Sequence, residues 1–168
     1  MFAAIPGVKV VVPSNPYDAK GLLMSAIQED NLVVFSEDKT LLGQKGNVPE
    51  EPYTIEIGKA NVTREGDDLT IVAIGKMVAV AEETAEKLAE DQVSVEVIDL
   101  RSVSPWDQET VLDSVKKTGR LIVIDESNPQ CNIAGDVASV IGDVGFDYLD
   151  GPIKKAVSYT HLRAHETV

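Results

Sequence analysis

Short apolar runs at residues 69–75, 93–99 and 121–125 alternate with helix-length amphipathic segments. Neighbouring parallel strands need a crossover of about a dozen residues, usually a helix, so this rhythm confines the chain to an α/β sheet with helices on its faces. Residues 77–90 put Val78, Ala81, Ala85 and Leu88 on one stripe and Glu82, Glu83, Glu86 and Glu90 on the other, a helix with its charged side in water. The next helix has two candidate starts, Ser104 before Pro105 or Asp107 with Thr110 after it, and Gly119 ends it. A further helix over 132–141 turns Ile133, Val137, Val140 and Ile141 inward and is stopped by Gly142 and Gly145, after which 153–157 reads as a last strand.

Upstream, residues 8–12 form a β-branched run between Pro6-Gly7 and Pro13. Ser14 or Asn15 caps a following helix, Pro16 suits its first turn, and Ala19, Leu22, Leu23, Ala26 and Ile27 recur at helical spacing. With 32–35 as a second strand, this is one βαβ unit. One such unit is too little sheet to stand alone, so it either closes a larger domain or docks on the second unit. Residues 37–68 are rich in glycine, proline and charge, with only 53–57 alternating like a strand, and read as a connection. Residues 158–168 break the pattern and read as a non-native tail. The tail holds both histidines, His161 and His165, in a spacing that lacks the intervening Glu and the third ligand of a zinc site.

A formal net charge of −13 argues against nucleic acid and anionic membranes as partners. No apolar stretch approaches the roughly 20 residues that span a bilayer. With one cysteine and no secretory signal pattern, a cytoplasmic location is expected. Motifs that imitate chemistry have plain readings. Gly75 between strand and helix, with Asp99 closing the next strand, resembles a dinucleotide site only loosely, because Val80 occupies the third glycine position. A stand-alone α/β module for a nucleotide or flavin is the alternative that this turn keeps open. Asp99, Asp125 and Glu126 all fall at carboxyl ends of strands and could hold a cation, but Asp99 facing Arg101 is the simpler expectation. Lys39, Lys45, Lys116 and Lys117 read as solubility and helix-dipole residues. Cys131 and the serines have no histidine in the body of the chain to serve as base, and no P-loop occurs.

Specific strings go further. Ile5-Pro-Gly-Val-Lys-Val-Val-Val-Pro-Ser-Asn-Pro-Tyr-Asp-Ala-Lys-Gly-Leu-Leu23 resembles the closing part of the pyrimidine-binding domain in beta subunits of the first components of 2-oxoacid dehydrogenase complexes. Gly46-Asn-Val-Pro-Glu-Glu-Pro-Tyr-Thr-Ile-Glu-Ile-Gly-Lys-Ala60, Val95-Glu-Val-Ile-Asp-Leu-Arg-Ser102 and Ser104-Pro-Trp-Asp107 resemble the transketolase-type C-terminal domain of the same subunit. Phe35-Ser-Glu-Asp-Lys-Thr-Leu41 and Val123-Ile-Asp-Glu-Ser-Asn-Pro-Gln-Cys131 look most like the acetoin dehydrogenase branch, beside the pyruvate dehydrogenase type.

The resemblance implies residues 1–45 as the C-terminal part of a pyrimidine-binding domain, 46–68 as a linker and 69–157 as a truncated transketolase C-terminal-type domain with a mainly parallel sheet and helices on both faces. It implies a thiamine diphosphate and Mg2+ enzyme that passes a two-carbon unit to lipoyl groups. Its partners would be an alpha subunit, a second beta subunit and a dihydrolipoyl acyltransferase core, docked through apolar area with anchors such as Trp106. The activating glutamate and the diphosphate motif of such enzymes belong to segments not in this sequence, so no catalytic or cofactor-binding residue is assigned and the chain alone is expected to be inactive. One site carries over from the resemblance: in some relatives a structural K+ binds at the helix end that aligns with Ala26, Ile27, Glu29 and Asn31.

Overall fold

The computed structural model describes residues 2–158, and His161, His165 and most of the expected tail lie outside them. The first unit is strand β1 (Lys9–Val11), helix α1 (Pro16–Gln28) and strand β2 (Val33–Phe35), with β1 and β2 parallel. Asn15 caps α1, its side chain accepting from the Asp18 N–H, which satisfies one of the free donors of the first turn.

In the second unit, the strands are β3 (Asn61–Arg64), β4 (Leu69–Ala73), β5 (Val95–Asp99), β7 (Leu121–Ile124) and β8 (Lys154–Ala156), in spatial order β3-β5-β4-β7-β8. The pairs β4–β5, β4–β7 and β7–β8 are parallel, and β3 runs antiparallel along β5. Helix α2 (Met77–Glu90) covers one face, α3 (Gln108–Thr118) and α4 (Ile133–Val144) the other. The period-2 alternation of β4 decides what each face meets: Ile71 and Ala73 pack with Val78, Ala81 and Ala85 of α2, while Val72 joins the core that includes Val111 and Val115 of α3. Thr70, on the α3 side, reaches Ser114 Oγ at 2.6 Å and Thr118 Oγ1 at 2.7 Å, so its buried hydroxyl is paired.

Some sequence expectations change. Asp107, not Ser104, caps α3, because its carboxylate accepts the Thr110 N–H at 3.2 Å while Ser104 belongs to strand β6 (Ser102–Ser104). Helix α4 runs through Gly142 and stops only at Gly145, with a Cβ at Gly142 having room. Residues 53–57 do not form a strand. Ile55 instead lies on α1, its N–H donating to Gly21 O at 3.2 Å and its carbonyl accepting from Ser25 Oγ at 2.5 Å, while Tyr53 stacks on Tyr17. The end of the expected connection joins the large sheet as β3, which residues 61–64 conceal by mixing polar and apolar side chains at a sheet edge.

Docking between the units is made by backbone: β6 adds antiparallel to β1, with Val10 opposite Ser104 and Val11 opposite Ser102. The small sheet therefore reads β2-β1-β6, and its far strand comes from the second unit. On the outer side of the first unit apolar groups stay in water, with Ile27 71% and Leu32 67% exposed.

Candidate functional site

Beyond β1 the chain passes through Pro13, Ser14 and Asn15 into α1, and this corner meets the end of β5. There Val12 donates its N–H to Arg101 O at 2.8 Å. Ser14 Oγ donates a short hydrogen bond to Asp99 Oδ2. Arg101 holds a left-handed backbone (φ 58°), and the other Asp99 oxygen accepts its N–H at 2.9 Å. That conformation is costly for a residue with a Cβ. The guanidinium of Arg101 is bonded to Asp18 of α1, with Nε at 3.0 Å and Nη2 at 2.6 Å from the two carboxylate oxygens. Asn15 Nδ2 completes the seam, 2.8 Å from Asp18 and 3.1 Å from Ser14 Oγ.

The seam is dry. Asp18 is 1% and Asp99 0% exposed. Burial pushes the Asp99 carboxyl up to about 6, against the Ser14 and Arg101 N–H bonds that favour its charge and with the Asp18 carboxylate adding to the rise.

Further ties lie along the same junction. Lys76, at the turn after β4, sits 3.2 Å from Asp38 of the first unit's loop and also pairs with Glu126 after β7, and the hydrogen bonds it donates to Glu126 and Asp38 raise its pKa. Asp38 is drawn down to about 2, first by the hydroxyl and N–H of Thr40 and then by Lys76. Gly58 N–H donates to Ser102 Oγ at 3.1 Å and Ala60 N–H to Asp107 Oδ2 at 3.1 Å, fastening the connection to the second unit. A cleft of about 240 Å³ opens between α1 and this loop, lined by Pro13, Asn15, Ala19, Asp38 and Leu41 among others.

Against this geometry the sequence readings separate. The three strand-end carboxylates do not converge: Asp99 is in the seam, Glu126 is on Lys76, and Asp125 accepts from its own neighbour Ser127, leaving its buried Oδ2 without a hydrogen bond. Among the described residues no group of three or more His, Cys, Asp or Glu is placed to hold a metal ion. Arg101 serves Asp99 through its backbone N–H, and its side chain pairs with Asp18 instead. Lys117 is more than a dipole complement, since it pairs with buried Glu96 and with Glu65 at 3.3 Å. Trp106, 9% exposed, belongs to the internal core and is not presented as a docking anchor. The expected ion-site residues lie on one continuous turn: Ala26 and Ile27 in the last turn of α1, Glu29 next, and Asn31 before β2. There Ala26 O takes only a long 3.4 Å contact from Glu29 N–H, and the Glu29 side chain pairs with Lys9 at 2.6 Å.

Sequence reasoning missed Asp18 and Lys76 as functional parts of the junction. Asp18 reads as an ordinary first-turn acid, and nothing in spacing joins it to a residue 83 positions away.

Comparison with known proteins fits this architecture. The family profile described as transketolase, C-terminal domain, matches residues 58–167, and that of the transketolase pyrimidine binding domain matches residues 1–45. The beta subunit of acetoin:2,6-dichlorophenolindophenol oxidoreductase from Bacillus subtilis is 54% identical over 92% of this chain and 45% of its own length. The pyruvate dehydrogenase E1 component subunit beta of the same organism is 48% identical over 94% of this chain and 49% of its own. A solved structure of a split gene transketolase, an inactive beta4 tetramer, superposes with a TM-score of 0.80 at 25% identity, covering 93% of this chain and 50% of that one. The chain thus spans about half the length of the relatives it matches. With a mainly parallel sheet between two helical layers and the profile covering most of its length, the chain belongs to the transketolase C-terminal domain family, preceded by part of a pyrimidine-binding domain.

Proposed function

We propose that this chain is the C-terminal portion of the beta subunit of a thiamine diphosphate-dependent acetoin or pyruvate dehydrogenase, an oxidoreductase that transfers a two-carbon acyl unit to lipoyl groups. The observation that carries the reading is the likeness to acetoin and pyruvate dehydrogenase beta subunits across both units in one unbroken order. In this reading the segment supports assembly: it holds the end of the pyrimidine-binding domain in a fixed pose, through β6 and the Asp18–Arg101 pair, against the C-terminal domain. Thiamine diphosphate and Mg2+ would be held by the complete heteromer of alpha subunit and paired beta subunits, which delivers its product to a dihydrolipoyl acyltransferase. The exposed Ile27 and Leu32 are suited to contact with those other segments. Where relatives hold K+, the carbonyl groups of Ala26, Ile27, Glu29 and Asn31 would serve. Carbonyls at a helix end are free acceptors, and the Lys9 pair engages the side chain of Glu29 and not its carbonyl.

The test is reconstitution. The chain, joined to a beta-subunit first half and combined with an alpha-type partner, thiamine diphosphate and Mg2+, is expected to reduce 2,6-dichlorophenolindophenol with acetoin or pyruvate as donor. A properly assembled heteromer that oxidises neither would overturn the reading.

A further inference from the structure

The junction between the units carries one carboxylate more than it can neutralise. Asp18 and Asp99 are both buried there, and the guanidinium of Arg101 is spent on Asp18. Asp99 receives only neutral donors, a hydroxyl from Ser14 of the first unit and the Arg101 N–H of the second. Its flanking positions in the sheet, Ala73 on β4 and Asn61 on β3, bring no ionisable group. The charged groups facing Asp99 are thus Asp18, from α1, and Arg101, from its own loop.

We propose that Asp99 is a proton-operated latch between the two units: protonated, it locks β1 and α1 onto the second unit, and ionised, it weakens that docking. The proton comes from solvent, sits on Oδ2 and reverses the cross-junction bond, with Oδ2 donating and Ser14 Oγ accepting. The docked state then holds one carboxylate and one guanidinium, a balanced set. An Asp99 released into water by undocking has the ordinary value of 3.8, and docking lifts it to about 6. The docked state therefore binds the proton more tightly, so docking is strongest in mild acid and loses strength as pH rises through this window. A carboxylate with water around it would have finished titrating well below that range. This inference does not rest on the enzymatic reading and holds for the chain by itself.

Hydrogen exchange on the full chain between pH 5 and 8 tests it, with rates corrected for base catalysis of exchange. The β1 amides and the adjacent Val12 N–H on Arg101 O are expected to lose about tenfold in protection across that range and to level off near pH 7. The β4 amides, inside the large sheet, serve as reference and should not follow. Asp99→Asn, which mimics the protonated form, should give a flat profile at the high-protection level. Ser14→Ala removes a donor to the charged form and should move the midpoint upward. A flat wild-type profile, a slope retained in Asp99→Asn, an equal loss in β4, or an unmoved midpoint in Ser14→Ala would each overturn the latch. Should Asp99→Asn fail to fold, the Ser14→Ala midpoint decides.

Discussion

Replacing Arg101 with Met should be among the most damaging single changes outside the core. The guanidinium gives Asp18 two charge-assisted hydrogen bonds, at 3.0 and 2.6 Å, in a place where the carboxylate is 1% exposed. Breaking a buried pair from one side typically costs about 3–5 kcal/mol, because the remaining charge has neither partner nor water. Asn15 Nδ2 still reaches Asp18 Oδ2 at 2.8 Å, which places this case near the lower end, about 3 kcal/mol. Urea denaturation at pH 7.5, followed by the fluorescence of Trp106, reads the loss directly. Adding Asp18→Asn in the same chain removes the stranded charge and should restore at least half of it. A loss under about 1 kcal/mol, the size of an exposed pair, or no recovery in the double variant would refute the claim that the buried Asp18–Arg101 pair adds to the backbone docking.

Other outcomes follow from the same geometry. Burial raises the Glu96 carboxyl, but bonds from Lys117, Ser114 and Gly66 outweigh it, so the folded value lies below 4.5 and the stability it adds is present above that pH and lost as pH falls. Lys117→Met should accordingly cost about 1–2 kcal/mol at pH 7, held down by the lysine's partial exposure, and progressively less as pH falls below 4.5 in the same denaturation series. Gly66→Ala puts a Cβ 2.2 Å from the Val95 carbonyl carbon and 2.3 Å from Glu96 N, backbone atoms that cannot swing aside, and should cost at least about 3 kcal/mol in the same assay. Ile27→Ser and Ile98→Ala separate surface from core: the first should change the isolated chain by under about 0.5 kcal/mol, the second by about 2–5 kcal/mol. A heavy loss from Ile27→Ser would mean that its face is already covered within the chain.

How far the sequence speaks depends on the range of the interaction. Helix α2 is legible residue by residue because Val78, Ala81 and Ala85 repeat at the helical period and all face one sheet. The start of α3 rests on a choice between two local caps, and the carboxylate of Asp107 wins by reaching both Thr110 and the Ala60 N–H. Strand β3 escapes notice because an edge strand needs no apolar alternation, only a free row of backbone groups along β5. The expected partner of Asp99 holds only in part: Arg101 meets it through its backbone N–H, while the guanidinium crosses to Asp18, 83 positions away in the chain. Resemblance marked residues 95–102 as informative without saying what Asp99 and Arg101 do, and only the docked units show them reaching back to Ser14 and Asp18.

The proposed function divides the labour: this chain supplies a folded and docked scaffold, and the cofactor chemistry would need other segments. Calorimetric titration of thiamine diphosphate with Mg2+ into the chain alone, then into the chain assembled with a beta-subunit first half and an alpha-type partner, tests it most directly. Binding heat is expected only in the assembled form, and saturable tight binding by the chain alone would contradict the account.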